Sequence, residues 1–218
     1  MLPFPPADEL VRRVPRLMLG LVMFGLGIAF MVQGDLGLSP WDVLHEGVAE
    51  RSGLAIGTVT IATGVVVLLL WLPLRERMGI GTVANALVIG LVVNAGIAVL
   101  PEPEHMAARI AFLLFGIFLF GPGSGYYIGA GLGPGPRDGL MTGLAKRGHP
   151  VRTVRTGIEL AALAIGAALG GTVGVGTVVF ALAVGPNVHF FLTRMTLPAP
   201  RSRRPTQADD VPGHLEAL

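Results

Sequence analysis

The chain contains the segment Pro40-Trp-Asp-Val-Leu-His-Glu-Gly-Val-Ala-Glu-Arg51, and 96 residues later it contains Pro136-Arg-Asp-Gly-Leu-Met-Thr-Gly-Leu-Ala-Lys-Arg147. Both copies fit the pattern P-x-D-x-L-x-x-G-x-A-x-R. The similarity continues on both sides: Leu36-Gly37 matches Leu132-Gly133 at the same offset, and after a one-residue deletion Gly81-Thr82-Val83 matches Gly176-Thr177-Val178 at an offset of 95. The sequence is therefore two copies of one unit. A period this long in an apolar chain indicates the duplicated halves of a membrane protein.

The composition also indicates a membrane protein. Of the 218 residues, 52% are hydrophobic and 14% are charged, and the mean hydropathy is +0.68. Soluble domains carry about 25% charged residues. The 32 glycines suit close helix packing in lipid, and the absence of cysteine excludes disulfides, Cys-zinc sites and thiol catalysis. The basic pI of about 9.7 does not indicate nucleic-acid binding, because the arginines lie between apolar runs and fit topology signals better.

Six continuous apolar runs predict six membrane-spanning helices. Each run approaches the ~20 residues that a helix needs to cross a bilayer. Strands are a poor alternative, because apolar and polar residues do not alternate within the runs. The runs are Leu17–Gln33, Gly57–Leu72, Gly81–Leu100, Ile110–Ile128, Thr153–Gly170 and Val175–Phe191.

The distribution of basic residues predicts the orientation. Six spans place Arg51 and Arg109 on one side of the membrane and the other 14 of the 16 basic residues on the opposite side. The positive-inside rule then puts both termini in the cytoplasm. The predicted fold is all-α, with three spans in each repeat. Because three is an odd number, the second repeat has the opposite orientation in the membrane, and the two repeats are inverted. The expected organisation is a cytoplasmic segment at 1–16, repeats at 17–100 and 101–195, and a disordered cytoplasmic tail at 196–218.

The shared motif predicts a short helix in each repeat. Ser39 is a suitable N-cap, Pro40 suits the first helical position, and Asp42 at the third position resembles the acid of a capping box. In the second copy Gly135 takes the cap position and Asp138 the third position. At ~12 residues these helices are too short to cross a bilayer, so they lie along the interface or enter the membrane as re-entrant helices.

These helix starts are the first candidate substrate site. Inversion of the repeats brings one glycine- and proline-rich loop from each side toward a common centre. The candidate binding residues there are Ser39, Trp41, Asp42, Arg137 and Asp138. The alternative is that the two carboxylates only cap their helices, an interaction worth ~0.3–1 kcal/mol.

Three polar residues within the spans are further candidates. Glu159 is a candidate for proton coupling, because an ionisable group inside a span is costly and usually functional; the alternative is a helical pair with Arg155. Asn94 and His189 occupy equivalent positions in the two repeats and are candidates for substrate binding, or they only bridge helices. Tyr127 ends a span, where an interfacial aromatic residue is expected.

The sequence contains no catalytic signature. No HExxH, nucleophile-elbow or Walker pattern occurs, and the five histidines are scattered. We therefore expect no enzymatic activity, no cofactor and no metal.

Three segments resemble the YczE/YyaS/YitT family of bacterial integral membrane proteins. They are Met31–His45, Gly129–Met141 and Val154–Glu159, and the resemblance extends from about Leu17 to Phe191. It implies a polytopic inner-membrane protein but no settled substrate.

Two main hypotheses for the function follow. The first is a small secondary transporter or exporter of a small molecule or ion; the alternative is a non-transporting accessory protein that supports a biosynthetic or secretion pathway, and a membrane enzyme comes third. The expected partners are the lipid bilayer and the substrate rather than nucleic acid, and homo-oligomerisation stays open.

Overall fold

The computed structural model describes residues 6–76, 78–148 and 150–198, and these residues form eight α-helices and no strands. The predicted tail at 196–218 lies outside the described residues from residue 199 onward. The helices are α1 (Ala7–Gly34), α2 (Pro40–Ser52), α3 (Ile56–Leu74), α4 (Ile80–Val99), α5 (Met106–Gly129), α6 (Pro136–Ala145), α7 (Val151–Leu169) and α8 (Val175–Met195).

Five of the helices within these residues are long enough and apolar enough to cross a membrane. They are α1, α3, α4, α5 and α8. Helix α7 coincides with the remaining apolar run but is not among the five, because it carries Arg152, Arg155 and Glu159 in its first half. The chain is therefore an all-helical, multi-pass membrane protein with at least five candidate spans.

Helix α1 begins ten residues before the apolar run that predicts it, at Ala7 rather than at Leu17. The side chain of Arg13 explains part of this extension. Its guanidinium group donates to the Glu9 carboxylate at 3.0 Å and to the carbonyl oxygen of Ala130 at 2.8 Å. Residues 7–16 of the predicted N-terminal segment are thus a polar, hydrogen-bonded part of the first helix.

Helices α1–α4 and α5–α8 have the same order of long and short helices, and their matching residues make crosswise contacts. The backbone N–H of Gly81 donates to the carbonyl oxygen of Leu132 at 2.9 Å, and that of Gly176 donates to Leu36 at 2.7 Å. Each glycine-rich loop is therefore held by the start of the last helix of the other half.

Helices from the two halves pack against each other around the centre of the molecule. Helices α1 and α5 pack together, α2 packs against α7, and α6 packs against α3. At the α1–α5 contact, a β-carbon added to Gly20 would lie 2.6 Å from the carbonyl oxygen of Gly123, and one added to Gly27 would lie 2.9 Å from that of Gly116. Small residues let these two helices approach closely, as in many membrane helix pairs.

Candidate functional site

The two short helices begin as the repeat motif predicts. Ser39 caps α2, and its side-chain oxygen accepts a hydrogen bond from the backbone N–H of Asp42 at 3.3 Å. Gly135 occupies the cap position of α6, followed by Pro136. The capping-box prediction is wrong in one detail: the Asp42 carboxylate accepts a hydrogen bond from the Ser39 hydroxyl, not from the Ser39 backbone N–H.

The two helix starts meet through equivalent residues of the repeat. Trp41 and Arg137 both follow the motif proline, and the guanidinium carbon of Arg137 lies 4.8 Å from the centre of the Trp41 ring. This separation suits a cation–π interaction. The N-terminal ends of α2 and α6 therefore lie side by side within the protein.

Behind Trp41 lies a buried polar network. Asp42 is 1% exposed and His45 is 0% exposed. The Oδ1 atom of Asp42 lies 3.4 Å from Nδ1 of His45 and 4.0 Å from Nη2 of Arg137. Nη2 of Arg137 also lies 3.5 Å from Nε2 of His45. The network joins the two short helices and gives the buried carboxylate two neighbouring donors.

The hydrogen bonds of Thr60 assign the tautomer of His45. The Thr60 hydroxyl donates its single proton to the carbonyl oxygen of Ile56 at 3.0 Å, and its oxygen lies 3.1 Å from Nδ1 of His45. Because that proton is already used, Nδ1 of His45 must be the donor. We therefore assign the Nδ1–H tautomer, which leaves Nε2 as an acceptor for Arg137.

The pKa directions of the network agree with this assignment. Burial lowers the pKa of the His45 imidazole against the opposing effect of Asp42, and the charge of Arg137 lowers it further. Burial raises the pKa of the Asp42 carboxyl, but hydrogen bonds from His45 and Ser39 and the charge of Arg137 bring it below its ordinary value. Near neutral pH the network is an ionised Asp42, a neutral His45 and a cationic Arg137.

A cavity of about 480 Å³ lies in front of the two helix starts and receives side chains from all eight helices. One part of its wall is polar and another is aromatic and aliphatic. This size falls within the range of small-molecule sites. Of the sequence-predicted candidates, those that line the cavity are Ser39, Trp41, Arg137, Asp138 and Glu159.

Three candidates lie elsewhere. Asp42 lies behind the wall and contacts two residues that line the cavity, Ser39 and Arg137. Asn94 and His189 do not line the cavity, so the structure gives no support to their predicted role in binding. The side chain of Asn94 accepts the backbone N–H of Gly57 at 2.8 Å and so bridges α4 to α3, which fits the alternative interpretation. His189 lies on an exposed part of α8.

Glu159 lines the cavity but is not alone. Its carboxylate accepts a hydrogen bond from Arg155, one turn earlier on α7, at 3.0 Å. Glu159 therefore makes the ion pair of the alternative interpretation and also lines the cavity.

Sequence reasoning missed two participants in the site. His45 follows Asp42 by three residues, and this helical spacing puts both on one face, but the second copy has Met141 at the matching position and gives no signal. Tyr127 is buried rather than interfacial, and its hydroxyl donates to Asp138 at 3.1 Å. Among residues 6–76, 78–148 and 150–198, no cluster of three histidine or acidic side chains could hold a metal ion.

Comparison with known proteins places this arrangement in a family. Residues 11–193 match a family described as a family of unknown function, DUF6198. The chain belongs to this family.

Relatives confirm the resemblance seen in the sequence. The chain is 34% identical to a Bacillus subtilis protein called an uncharacterized membrane protein, YczE, over 85% of this chain and 87% of the relative. It is 40% identical to an uncharacterized protein of Haemophilus influenzae, over 81% of both chains. It is 25% identical to the uncharacterized protein YyaS of Bacillus subtilis, over 80% of this chain and 89% of the relative. No solved structure matches the chain.

Proposed function

We propose that the protein is a small secondary transporter of a small molecule or ion, and that its substrate binds in the central cavity. The observation that carries this proposal is the cavity itself, where Arg137 and Asp138 of α6 and Arg155 and Glu159 of α7 lie among long apolar helices, beside Ser39 and Trp41 at the start of α2. Ionisable groups enclosed within a membrane protein are costly and commonly mark a substrate or ion pathway. Helix N-termini that meet at such a site are a recurring feature of secondary transporters.

The proposed topology has six spans in two inverted repeats, with both termini in the cytoplasm of the inner membrane. Helix α7 is the sixth span: its 19 residues extend about 28 Å at 1.5 Å per residue, close to the thickness of the hydrocarbon layer. Two of its charged residues, Arg155 and Glu159, line the cavity, which supplies a reason for their presence in a span. The crosswise contacts between the halves support inversion about a pseudo-two-fold axis.

Site-directed labelling tests this topology cleanly, because the chain contains no cysteine. A cysteine at Glu104 should react with a membrane-impermeant maleimide added to intact spheroplasts, whereas a cysteine at Lys146 should react only after the membrane is opened. Reversed reactivity would contradict the proposed orientation, and equal reactivity of both positions in intact spheroplasts would contradict the six-span topology.

The proposed roles follow from position. Arg137 and Asp138 at the start of α6 bind the polar part of the substrate, Trp41 supports Arg137, and Glu159 carries the coupling proton. Because Arg155 pairs with Glu159, protonation of Glu159 would release Arg155 and change the charge at the cavity wall.

Purified protein in liposomes tests transport directly. A panel of small organic anions, cations and neutral solutes is added outside vesicles that contain a pH-sensitive dye, and vesicles without protein serve as the control. We expect at least one class to produce a protein-dependent pH change. Absence of any flux, together with co-purification of one stoichiometric partner from native membranes, would contradict transport and support the accessory role.

A further inference from the structure

We propose that the substrate is an amphiphilic anion and that it reaches the cavity from within the bilayer, through a gap between α7 and α8. This inference rests on the proposed function, because it names the substrate class of the same cavity. Three observations carry it: the gap, its depth in the membrane, and the free donors on the cavity wall.

The gap appears when the last two helices of each half are compared. Helices α3 and α4 pack along each other, whereas α7 and α8 do not. Gly90 of α4 lies directly against the backbone of Gly57, so an added β-carbon would collide with the Gly57 carbonyl oxygen. The matching glycine of α8 is Gly185, and a β-carbon added there would have nothing within 4 Å. The last two helices are thus packed together in the first half of the chain and separated by a gap in the second half.

Exposure shows that the cavity reaches the surface of the protein at this gap. Among the described lining residues, the exposed ones are Arg155 of α7 and Ala181 and Gly185 of α8. All other described lining residues are buried or half-buried. The entrance to the cavity therefore lies between these two helices.

The depth of the entrance favours entry from lipid. Gly185 follows the first residue of α8, Val175, by ten positions, which is about 15 Å along a helix and near the middle of a ~30 Å hydrocarbon layer. Val178 and Leu182 on the same helix are strongly exposed, as expected of residues that face acyl chains. At this level the entrance meets the acyl chains of the bilayer, so a molecule with an apolar body can enter without leaving the membrane.

The free hydrogen-bond donors favour an acidic headgroup. Arg137 has five N–H donors, but its polar neighbours within the described part of the chain are His45 at 3.5 Å and Asp42 at 4.0 Å, and its guanidinium carbon lies 4.8 Å from the centre of the Trp41 ring. The Asn85 amide and the Ser124 hydroxyl also line the cavity, and neither makes a hydrogen bond among the described residues. The indole N–H of Trp41 likewise has no acceptor there.

Each carboxylate of the site, by contrast, already accepts one hydrogen bond; the other, buried oxygen of Asp42, Oδ1, faces His45 and Arg137 but has no partner at hydrogen-bond distance in the described part of the chain. Asp138 accepts from Tyr127, Glu159 accepts from Arg155, and Asp42 accepts from Ser39. An incoming oxyanion would fill the unused donors of Arg137, which suit carboxylate and phosphate oxygens equally well. The shared chemistry is a single anionic group on an apolar body.

The rest of the wall suits that apolar body. Phe120 packs against Phe24 with ring centres 4.5 Å apart and against Phe180 with ring centres 5.0 Å apart. Ile89, Val184 and Val188 continue this surface. A hydrocarbon chain buried here would be removed from water together with the rings that it covers.

Tryptophan fluorescence in nanodiscs tests the headgroup, because Trp41 and Trp71 are the only two tryptophans of the sequence and Trp41 lies against Arg137. The probes are decanoate, decyl phosphate, decyltrimethylammonium and butyrate. We expect one or both long-chain anions to change the emission saturably, and the other two probes to have no effect. A response to one anion alone identifies carboxylate or phosphate as the source, and equal responses to the cation and the anions would overturn the proposal.

Variants of two arginines provide the matched control. Arg137→Gln should weaken anion binding at least tenfold, as expected for loss of a charge-assisted contact. Arg147→Gln should leave binding unchanged, because Arg147 lies outside the cavity and donates to the carbonyl oxygen of Pro73. Trp41→Phe should remove the fluorescence response and weaken binding less than Arg137→Gln does, measured by competition with radiolabelled decanoate, because it removes one indole N–H donor and keeps the charge of Arg137. Equal affinities of the two arginine variants would overturn the assignment of Arg137.

Variants of two glycines test the entrance. Gly185→Leu should slow association of the long-chain anion about tenfold, because the side chain fills the gap at the depth of entry. Gly157→Leu on α7 is the control, since Gly157 also has nothing within 4 Å of an added β-carbon but does not line the cavity. Identical association rates in both variants would overturn lateral entry. Two chains per nanodisc that bind no anion would also overturn it, because a helix of the second copy would then fill the gap.

The outcome also separates this inference from the proposed function. Saturable anion binding without flux would support the proposed anion site and contradict transport. Flux of a water-soluble substrate without anion binding would retain transport and overturn the amphiphile.

Discussion

Trp41 and Arg137 occupy the same position in the two copies of the repeat, and they contact each other, with the guanidinium carbon 4.8 Å from the centre of the indole ring. Two residues at matching positions of the duplicated motif therefore lie side by side where the starts of α2 and α6 meet. The divergence of this one position into an aromatic residue and a cation gives the protein an asymmetric centre, with a positive charge on one side and the buried Asp42–His45 pair behind it.

The buried carboxylate of Asp42 should contribute more to stability than that of Asp138, its counterpart in the second copy. We expect Asp42→Asn to lower the free energy of unfolding by about 1–3 kcal/mol, because it disturbs the hydrogen bond from Ser39 and removes the charge that faces His45 and Arg137 in a site that excludes water. Asp138→Asn should cost less than about 1 kcal/mol, because the amide oxygen of the new side chain can still accept from Tyr127 and the lost charge lies at a helix start. Thermal unfolding of both variants in one detergent compares them. A greater loss in Asp138→Asn would contradict the assigned network.

The pH dependence of stability should contain a contribution from His45. Its pKa is lower in the folded protein than the ordinary value of 6.5, so the unfolded chain binds the proton more readily. The contribution of the neutral, buried His45 to the free energy of unfolding is fully present above pH 6.5 and is lost as the pH falls below that value. We expect the unfolding temperature to decrease between pH 6.5 and 5, and His45→Asn to show a flatter profile over that interval. Parallel profiles of the two proteins would show that His45 does not titrate in this way.

The equivalent glycines of α4 and α8 should respond oppositely to the same substitution. Gly90→Ala should destabilise the protein by roughly 1–3 kcal/mol, because the methyl group collides with the backbone of α3. Gly185→Ala should be neutral or stabilise the protein by up to about 1 kcal/mol, since the space around it is open and alanine favours the helix. Unfolding midpoints in the same detergent give the comparison. Similar losses at both positions would mean that α7 and α8 pack together in the membrane.

The ion pair of Arg155 and Glu159 separates proton coupling from simple pairing. Both side chains are partly exposed and four residues apart, so the pair contributes only about 0.3–0.5 kcal/mol to stability. We expect Glu159→Gln to abolish gradient-driven flux in liposomes while substrate exchange continues. If the double variant Arg155→Gln, Glu159→Gln recovers full gradient-driven flux, Glu159 is not the proton carrier.

The sequence predicted the helices and both helix starts, because apolar runs, caps and the repeated motif are local signals. It also predicted that Ser39, Trp41, Arg137 and Asp138 belong to one region, and the cavity brings these side chains together. That result depended on the duplication, which relates residues about 96 positions apart without any knowledge of their contacts.

Other parts of the site could not be predicted, since they depend on which face of a helix turns inward. Asn94 and Asn85 lie on the same helix, yet only Asn85 lines the cavity while Asn94 turns to α3. An apolar run carries no marker of that rotation. The burial of Tyr127 could not be predicted either. Its position at the end of a span suits an interfacial residue, but the chain returns into α6 and covers it. In the α3–α4 pair Gly57 lies against Gly90, whereas the position that matches Gly57 in α7 holds Arg152.

Flux through Arg137 variants tests the central claim, that the cavity between the two helix starts is the site of transport. Liposomes with equal amounts of wild-type protein, Arg137→Gln and Arg147→Gln are supplied with the substrate class that the panel identifies, and the initial rate of uptake is measured. We predict that Arg137→Gln reduces the rate at least tenfold while Arg147→Gln retains it, because loss of one charge-assisted contact is worth a factor of this order. Equal uptake by all three proteins would contradict the account.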